Sequence, residues 1–314
     1  EDLPRVDGHR RGLLNDSVES NSSKPVPKIV VGSKAPCGRY PYMISLRDED
    51  AIHRCGAVLI DENWALTAAH CLDADTTLAT SQILYIGGCN LNDDVVSGEI
   101  EVTRPQGVFP HPSWMGQLQQ GNDIALLWLA HASTHQPIAL PSAFLEVGKG
   151  EILVALGWGA DGNGIGDGNL QEADRLAAIS NAACAAPSLW GDVIKDSMLC
   201  AFGFINGQDT CKGDSGGPLL RAFSPRGNTA EGIPKGDILL GLTSFGDKES
   251  KCGESDKPGV YTRVSYHRRW IDTVIESEGQ YDEVPKVEKR VACGASRELC
   301  GISYSLQPCL NCVE

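Results

Sequence analysis

The stretch Gly213-Asp214-Ser215-Gly216-Gly217-Pro218 sets a serine hydroxyl among glycines that leave room for another chain to approach, with an acid immediately before it. A hydroxyl is not usefully nucleophilic near neutral pH unless a base takes its proton, so such a serine needs a histidine and a group to orient that histidine. Thr67-Ala68-Ala69-His70-Cys71 and Asn122-Asp123-Ile124-Ala125-Leu126-Leu127 supply candidates for both. Taken singly, His70 reads as a buried structural histidine, Asp123 as a turn cap and Ser215 as an ordinary turn serine. Taken together, in the order His, Asp, Ser, they point to nucleophilic catalysis.

These three segments must be positioned by a fold made of short elements. From residue 29 to about 265 the chain consists of brief apolar runs separated by Gly, Pro, Asn and Asp, among them Tyr42–Leu46, Ala57–Ile60, Ile83–Ile86, Ile124–Leu129, Ile152–Leu156 and Ile238–Leu242. Short runs with turn chemistry between them indicate an all-β barrel or sandwich. Asp161–Gly168, with four glycines, reads as a surface loop. One late helix is expected where Tyr266, Trp270, Ile271, Val274 and Ile275 recur at helical spacing.

The 314 residues have a net charge of −14, and 31 acids against 18 bases fall within residues 29–279. That surface disfavours nucleic acid, whose binding rests on neutralising phosphates, and favours cationic partners. No apolar run has the ~18 residues a spanning helix needs. Twelve cysteines, none in a Cys-x-x-Cys pair before residue 290, read as disulfides made in an oxidising compartment, and hence as a secreted protein. Residues 1–28 are polar, with Asn15-Asp16-Ser17 and Asn21-Ser22-Ser23 as possible glycosylation acceptors, and read as a flexible leader. Residues 280–314 read as a separate extension in which a charged linker precedes Cys293, Cys300, Cys309 and Cys312; two disulfides fit these better than zinc.

The three segments around His70, Asp123 and Ser215 resemble the active-site signatures of the chymotrypsin-family, trypsin-like serine proteases. So do Ile29-Val30-Val31-Gly32, Gly157-Trp158-Gly159 and Lys257-Pro258-Gly259-Val260-Tyr261. The resemblance covers about residues 29–277 and implies two six-stranded antiparallel barrels with a C-terminal helix. It implies Ser215 as nucleophile, His70 as general base, Asp123 as its orienting group, and the N–H groups of Gly213 and Ser215 as the oxyanion hole. It also implies a zymogen cut between Lys28 and Ile29, after which the new ammonium group of Ile29 pairs with Asp214.

By the same resemblance Asp209 is the floor of the primary specificity pocket, lined by Thr210, Ser244, Gly246 and Gly259, which selects Arg or Lys in protein or peptide substrates. Lys28 itself would suit such a pocket, so autoactivation and an upstream protease are both open, and protein inhibitors are expected partners. A chymotrypsin- or elastase-type specificity, or a silent relative acting as a binding protein, are the alternatives. Two departures stand out: Lys212 at the pocket rim, and Arg221–Asp237, which reads as a flap able to narrow substrate choice. The implied disulfides are Cys55–Cys71, Cys184–Cys200 and Cys211–Cys252, leaving Cys37 and Cys89 to pair by elimination. No cofactor and no metal are expected; Asp93, Asp94, Glu99 and Glu101 offer oxygens, but Gly88 stands where some relatives carry a calcium-binding acid.

Overall fold

The computed structural model describes residues 32–73, 82–92, 100–160, 167–203, 208–248, 250 and 252–280. Two antiparallel sheets carry the chain. The first contains β2 (Met43–Arg47), β3 (His53–Asp61), β4 (Trp64–Thr67), β5 (Ile83–Ile86), β6 (Glu101–Thr103), β7 (Pro105–Pro110) and β8 (Ala125–Leu129), in the order β6-β5-β2-β3-β4-β8-β7. Only Arg104 separates β6 from β7, so one bent segment pairs with β5 on one side and with β8 on the other. That bend curls the sheet into a half-barrel, the first of the chain's two barrel-like halves.

The second sheet joins β1 (Ser33–Lys34), β9 (Ile152–Gly157), β10 (Gln171–Ile179), β11 (Met198–Gly203), β12 (Pro218–Arg221), β13 (Ile238–Phe245) and β14 (Gly259–Arg263). Its order is β1-β10-β11-β14-β13-β12-β9, and β9 also pairs with β10, which closes a six-stranded barrel with β1 as an added edge. All six apolar runs named from the sequence fall on strands. Every side chain of Tyr42–Leu46, for instance, is buried, and each fully buried aliphatic side chain contributes roughly 2 kcal/mol of transfer free energy. Helix α1 (Asn181–Cys184) is a single turn capped by Ser180. Helix α2 (Val264–Glu276) lies where the helical spacing predicted and buries Val264, His267, Trp270, Ile271 and Val274, but Tyr266, expected on that face, is 57% exposed and Ile275 is half-buried.

Four disulfides brace the barrels: Cys37–Cys89, Cys55–Cys71, Cys184–Cys200 and Cys211–Cys252. The two that close 16-residue separations restrict the unfolded chain by ~3 kcal/mol each in the chain-entropy picture. Cys37–Cys89 ties the first described segment to the loop after β5. Beside it Leu170 N–H donates to the Cys89 carbonyl at 2.7 Å and Leu91 N–H to the Gly168 carbonyl at 2.7 Å, so the two barrels are also stitched by main-chain bonds.

Arg221–Asp237 is a strap rather than a flap over the cleft. Three short 3-10 turns run through it, and its ends are fastened. Arg39 makes a two-pronged pair with Asp237 at 2.5 and 2.8 Å, and Tyr42 donates to the same carboxylate at 2.6 Å. Thr229 and Tyr40 both donate to Glu172 (2.8 and 2.6 Å), and Arg221 pairs with Glu151 at 2.5 Å. Arg39, Asp237 and Glu172 are buried, and each charge survives there because partners surround it.

Candidate active site

Strand pairing brings His70 and Asp123 together. Thr67 at the end of β4 faces Ala125 at the start of β8, so the turn Ala69–Leu72 after one strand meets the residue preceding the other. Asp123 Oδ1 accepts the His70 main-chain N–H at 2.9 Å, and Oδ2 lies 2.8 Å from His70 Nδ1. A carboxylate only accepts, so Nδ1 carries the proton and Nε2 keeps its lone pair. Asp123 is buried (1% exposed) and has two further anchors: Ser244 Oγ donates to Oδ2 at 2.5 Å and Thr262 Oγ1 to the carbonyl oxygen at 2.7 Å. Burial disfavours the His70 imidazolium, but the bond to Asp123 and its charge outweigh this, and the pKa is raised above its ordinary value.

Ser215 is held close by. Its carbonyl accepts from Gly56 N–H at 2.8 Å, and Gly56 follows Cys55, whose disulfide partner Cys71 neighbours His70. Cys71 Sγ sits 3.7 Å from the Ser215 carbonyl oxygen and 4.0 Å from His70 Nε2, so the serine turn and the imidazole flank one sulfur. Gly213 has φ +98°, a backbone that a side chain would strain. Its carbonyl is 2.9 Å from His53 Nε2, and His53 Nδ1 is 2.9 Å from Ser45 Oγ. The carbonyl only accepts, so Nε2 carries the hydrogen and Nδ1 receives the Ser45 hydroxyl. Burial pushes the His53 pKa down to about 4, keeping the ring neutral. Nothing local marks His53 in the sequence; a histidine opening β3 is visible only once the fold sets it against Gly213.

Asp214 faces away from the triad into a fully buried site. Its carboxylate accepts from Gly159 N–H and Cys211 N–H, each at 2.7 Å. A Cβ on Gly157 would come within 1.9 Å of Asp214 Oδ1, so the Gly157-Trp158-Gly159 run is shaped by that carboxylate. Burial, partly opposed by the two N–H donors, raises its pKa to about 6. Among the described residues no cation pairs with this carboxylate.

Asp209, half-buried, is a second carboxylate with no cation paired to it among the described residues. Thr210 N–H donates to its Oδ1 at 2.8 Å, and burial raises the pKa to about 6 against the pull of main-chain donors from Thr210 and Gly253. It lies at the side of a small cavity bounded by Phe202, Gly253, Ser255, Lys257 and Gly259. A Cβ on Gly259 would stand 3.2 Å from Asp209 Oδ1, whereas one on Gly246 would meet nothing within 4 Å. Thr210 thus bonds Asp209 through its backbone, Gly259 lies against the carboxylate, Gly246 borders open space, and the Ser244 hydroxyl is spent on Asp123. Cys211–Cys252 braces this region from below.

Several residues named from the sequence lie outside the described residues: Lys28, Ile29, Asn15, Asn21, Asp93, Asp94, Glu99 and the four cysteines after residue 290. Glu101 is described, and it accepts from Thr134 N–H at 2.8 Å and from the Thr134 hydroxyl. Among the described residues the one cluster with metal-ligand donors is Cys55, His70 and Cys71, and its cysteines are joined to each other. Among those residues, too, no helix is long and apolar enough to cross a membrane.

The family model described as Trypsin matches residues 29–271. The chain is 32% identical over 255 residues to transmembrane protease serine 11C of Mus musculus, a match covering 78% of this chain and 53% of that protein. It is also 32% identical over 266 residues to transmembrane protease serine 11G of the same species, covering 82% and 58%. The chain therefore matches little more than half the length of these relatives.

Proposed function

The chain belongs to the trypsin family of serine proteases, and from that premise we propose that it is a serine endopeptidase cutting after Arg or Lys, made as a zymogen and released by cleavage between Lys28 and Ile29. Residues 29–279 are the protease domain, 1–28 the leader and 280–314 a cysteine-rich extension. Ser215 Oγ attacks the scissile carbonyl, His70 Nε2 takes its proton and returns it to the leaving amine, and Asp123 holds the tautomer. The main-chain N–H groups of Gly213 and Ser215 face the developing oxyanion. Each such donor is worth ~3 kcal/mol of barrier.

The observation that carries the reading is a pair of carboxylates, Asp209 half-buried and Asp214 fully buried, neither paired with a cation among the described residues. A carboxylate at the bottom of a pocket penalises any neutral occupant, because the charge stays unpaired, and welcomes guanidinium or ammonium. Asp214, held by Gly159 and Cys211, awaits the amino group that cleavage at Lys28 would free. Four disulfides in the described domain fit an oxidising, extracellular or lumenal setting. The test is the full chain cut at Lys28 and offered Arg, Lys, Phe and Ala fluorogenic peptides. Turnover of Arg and Lys peptides, lost in Ser215→Ala and absent before the cut, is expected. Preference for Phe or Ala would move the specificity, and no turnover by correctly cut protein would leave a binding homologue.

A further inference from the structure

Resting on that protease reading, we propose that the Cys37–Cys89 disulfide is a reducible brace for the groove beside Gly213, and that opening it weakens the hold on long substrates while sparing the triad. Among the eight described cysteines Cys37 alone is exposed. Its partner Cys89 is half-buried, as are Cys211 and Cys252, whereas Cys55, Cys71, Cys184 and Cys200 are buried. Exchange requires a thiolate to reach one of the two sulfurs, so access places Cys37–Cys89 first in the order of reduction.

A groove of about 440 Å³ has Gly213 and His53 in its lining and so adjoins the proposed oxyanion site. Part of its wall comes from two loops, with Leu91 and Asn92 from the first barrel-like half and Asp167 and Gly168 from the second. Leu91 N–H donates to the Gly168 carbonyl at 2.7 Å and Asn90 Nδ2 to Asn169 Oδ1 at 2.9 Å, which joins the loops edge to edge. Leu170 extends the seam: its N–H donates to the Cys89 carbonyl at 2.7 Å, and its carbonyl accepts from Ala35 N–H at 2.9 Å. Cys37 follows Ala35 and Pro36, and Cys89 precedes Asn90 and Leu91. The disulfide thus closes a ring through Ala35, Leu170, Cys89 and Cys37 on which both loops are mounted. The triad hangs on other ties: Cys55–Cys71 fastens the His70 turn, and Gly56 N–H holds the Ser215 carbonyl.

The step is a thiol–disulfide exchange with an external dithiol. Its thiolate attacks the Cys37 sulfur, the S–S bond breaks, and Cys89 leaves as a thiolate that takes up a proton. The second thiol of the reductant then attacks the first, freeing Cys37 as a thiol. Two electrons pass from the dithiol to the protein, and the reductant departs as a cyclic disulfide. The wall then rests on hydrogen bonds alone, including the one from Arg47 Nη2 to the Leu91 carbonyl at 2.8 Å, so it loosens without unfolding. A small amide that ends at the cut bond does not reach this wall. A polypeptide that runs past Gly213 lies against it.

The experiment takes the full chain cut at Lys28 through graded dithiothreitol, alkylates the freed thiols and locates them by mass spectrometry. Kinetics are read on a long Arg peptide, extended by several residues on both sides of the cut bond, and on a short Arg amide. Cys37 and Cys89 should be the first of the eight domain cysteines to alkylate. KM for the long peptide should then rise roughly three- to ten-fold, the worth of about one hydrogen bond, with its kcat and the short amide unmoved. Cys37→Ser combined with Cys89→Ser should show the raised KM without reductant and no further change with it, which separates this bond from the cysteines after residue 290. Should that variant fail to fold, the alkylated natural chain gives the same reading, and Asn169→Ala, which removes one tie of the wall, should give a smaller rise. Earlier alkylation of Cys211 or Cys252 overturns the proposal, as does a long-peptide KM that stays put once Cys37 and Cys89 are alkylated; both leave the protease reading intact. An equal loss on long and short substrates makes the bond merely structural and overturns it too. If the cut chain turns over no Arg peptide, the protease reading falls. Long-peptide binding to oxidised and reduced chain, read by fluorescence anisotropy, then decides the brace: tighter binding when oxidised upholds it, and equal binding overturns it.

Discussion

His53 Nε2 donates to the carbonyl of Gly213 at 2.9 Å, which orients the peptide unit beside the proposed oxyanion site from behind. Ser45 holds the other ring nitrogen at 2.9 Å. His53→Ala should therefore lower kcat about ten-fold while KM barely moves, a smaller loss than removing an oxyanion donor outright. Steady-state kinetics on an Arg peptide checks this. A change in KM alone would place His53 in substrate binding instead.

Asp209, with its pKa near 6, predicts the pH dependence of a cationic ligand. Below pH 6 the carboxyl is protonated and an amidinium finds no counter-charge. Affinity for benzamidine should rise close to ten-fold per pH unit up to about 6 and then level off, with a proton released on binding at pH 5. Calorimetry in two buffers of different ionisation enthalpy measures both. An affinity flat from pH 5 to 8 would remove Asp209 as the partner.

Asp123 keeps His70 in the tautomer whose Nε2 is free, and raises its pKa. Asp123→Asn should cut kcat on the order of 10⁴-fold, a magnitude known for this family's triad rather than one obtained from this geometry. The acid limb of kcat/KM should also shift to lower pH, because the imidazolium loses its counter-charge. A pH profile of the residual activity reads the shift.

Gly157→Ala puts a methyl where Asp214 Oδ1 already sits, 1.9 Å away. Asp214 cannot yield without abandoning the N–H groups of Gly159 and Cys211. Activity after the Lys28 cut should fall at least ten-fold, and stability by about 1–3 kcal/mol, the usual cost of overpacking. Urea unfolding and peptide turnover on one preparation test both. An unchanged activity would mean that the Asp214 site has slack.

His267 on α2 is buried against His111, with ring centroids 4.9 Å apart, and its Nε2 has no hydrogen-bond partner. Burial holds its pKa well below the ordinary value. The unfolded chain takes up this proton near pH 6.5 and the folded one does not, so the contribution is intact above 6.5 and is lost as pH falls below it. His267→Phe should leave stability at pH 7.5 equal or higher and reduce the proton uptake on unfolding at pH 5 by about one. Denaturant midpoints across that range give the slope.

Much of this was legible in the sequence because the chemistry is written in local strings. The segments around His70, Asp123 and Ser215 are each contiguous, and the buried runs of β2 and β13 are uninterrupted. What escaped depends on contacts between distant residues. β10 carries Glu172, Asp174 and Arg175 in its first half and is apolar only over Leu176–Ile179; Glu172 is buried because Tyr40 and Thr229 donate to it from 132 and 57 residues away. Arg221–Asp237 reads as a flap in the sequence because Arg39, its anchor, lies 198 residues before Asp237. Ser244 was expected to line the pocket, and only the fold reveals that its hydroxyl serves Asp123.

The eight cysteines between Cys37 and Cys252 are paired entirely with one another, and residues 1–28 contain none. Residues 1–28, if severed at Lys28 as proposed, thus find no thiol among these eight to hold them. A tethered leader would remain at millimolar effective concentration and could reseat; one without a bond drifts to the dilution of the surrounding fluid. Under the proposed cut, neither residues 1–28 nor these eight cysteines offer a covalent route by which that segment would be kept at the domain.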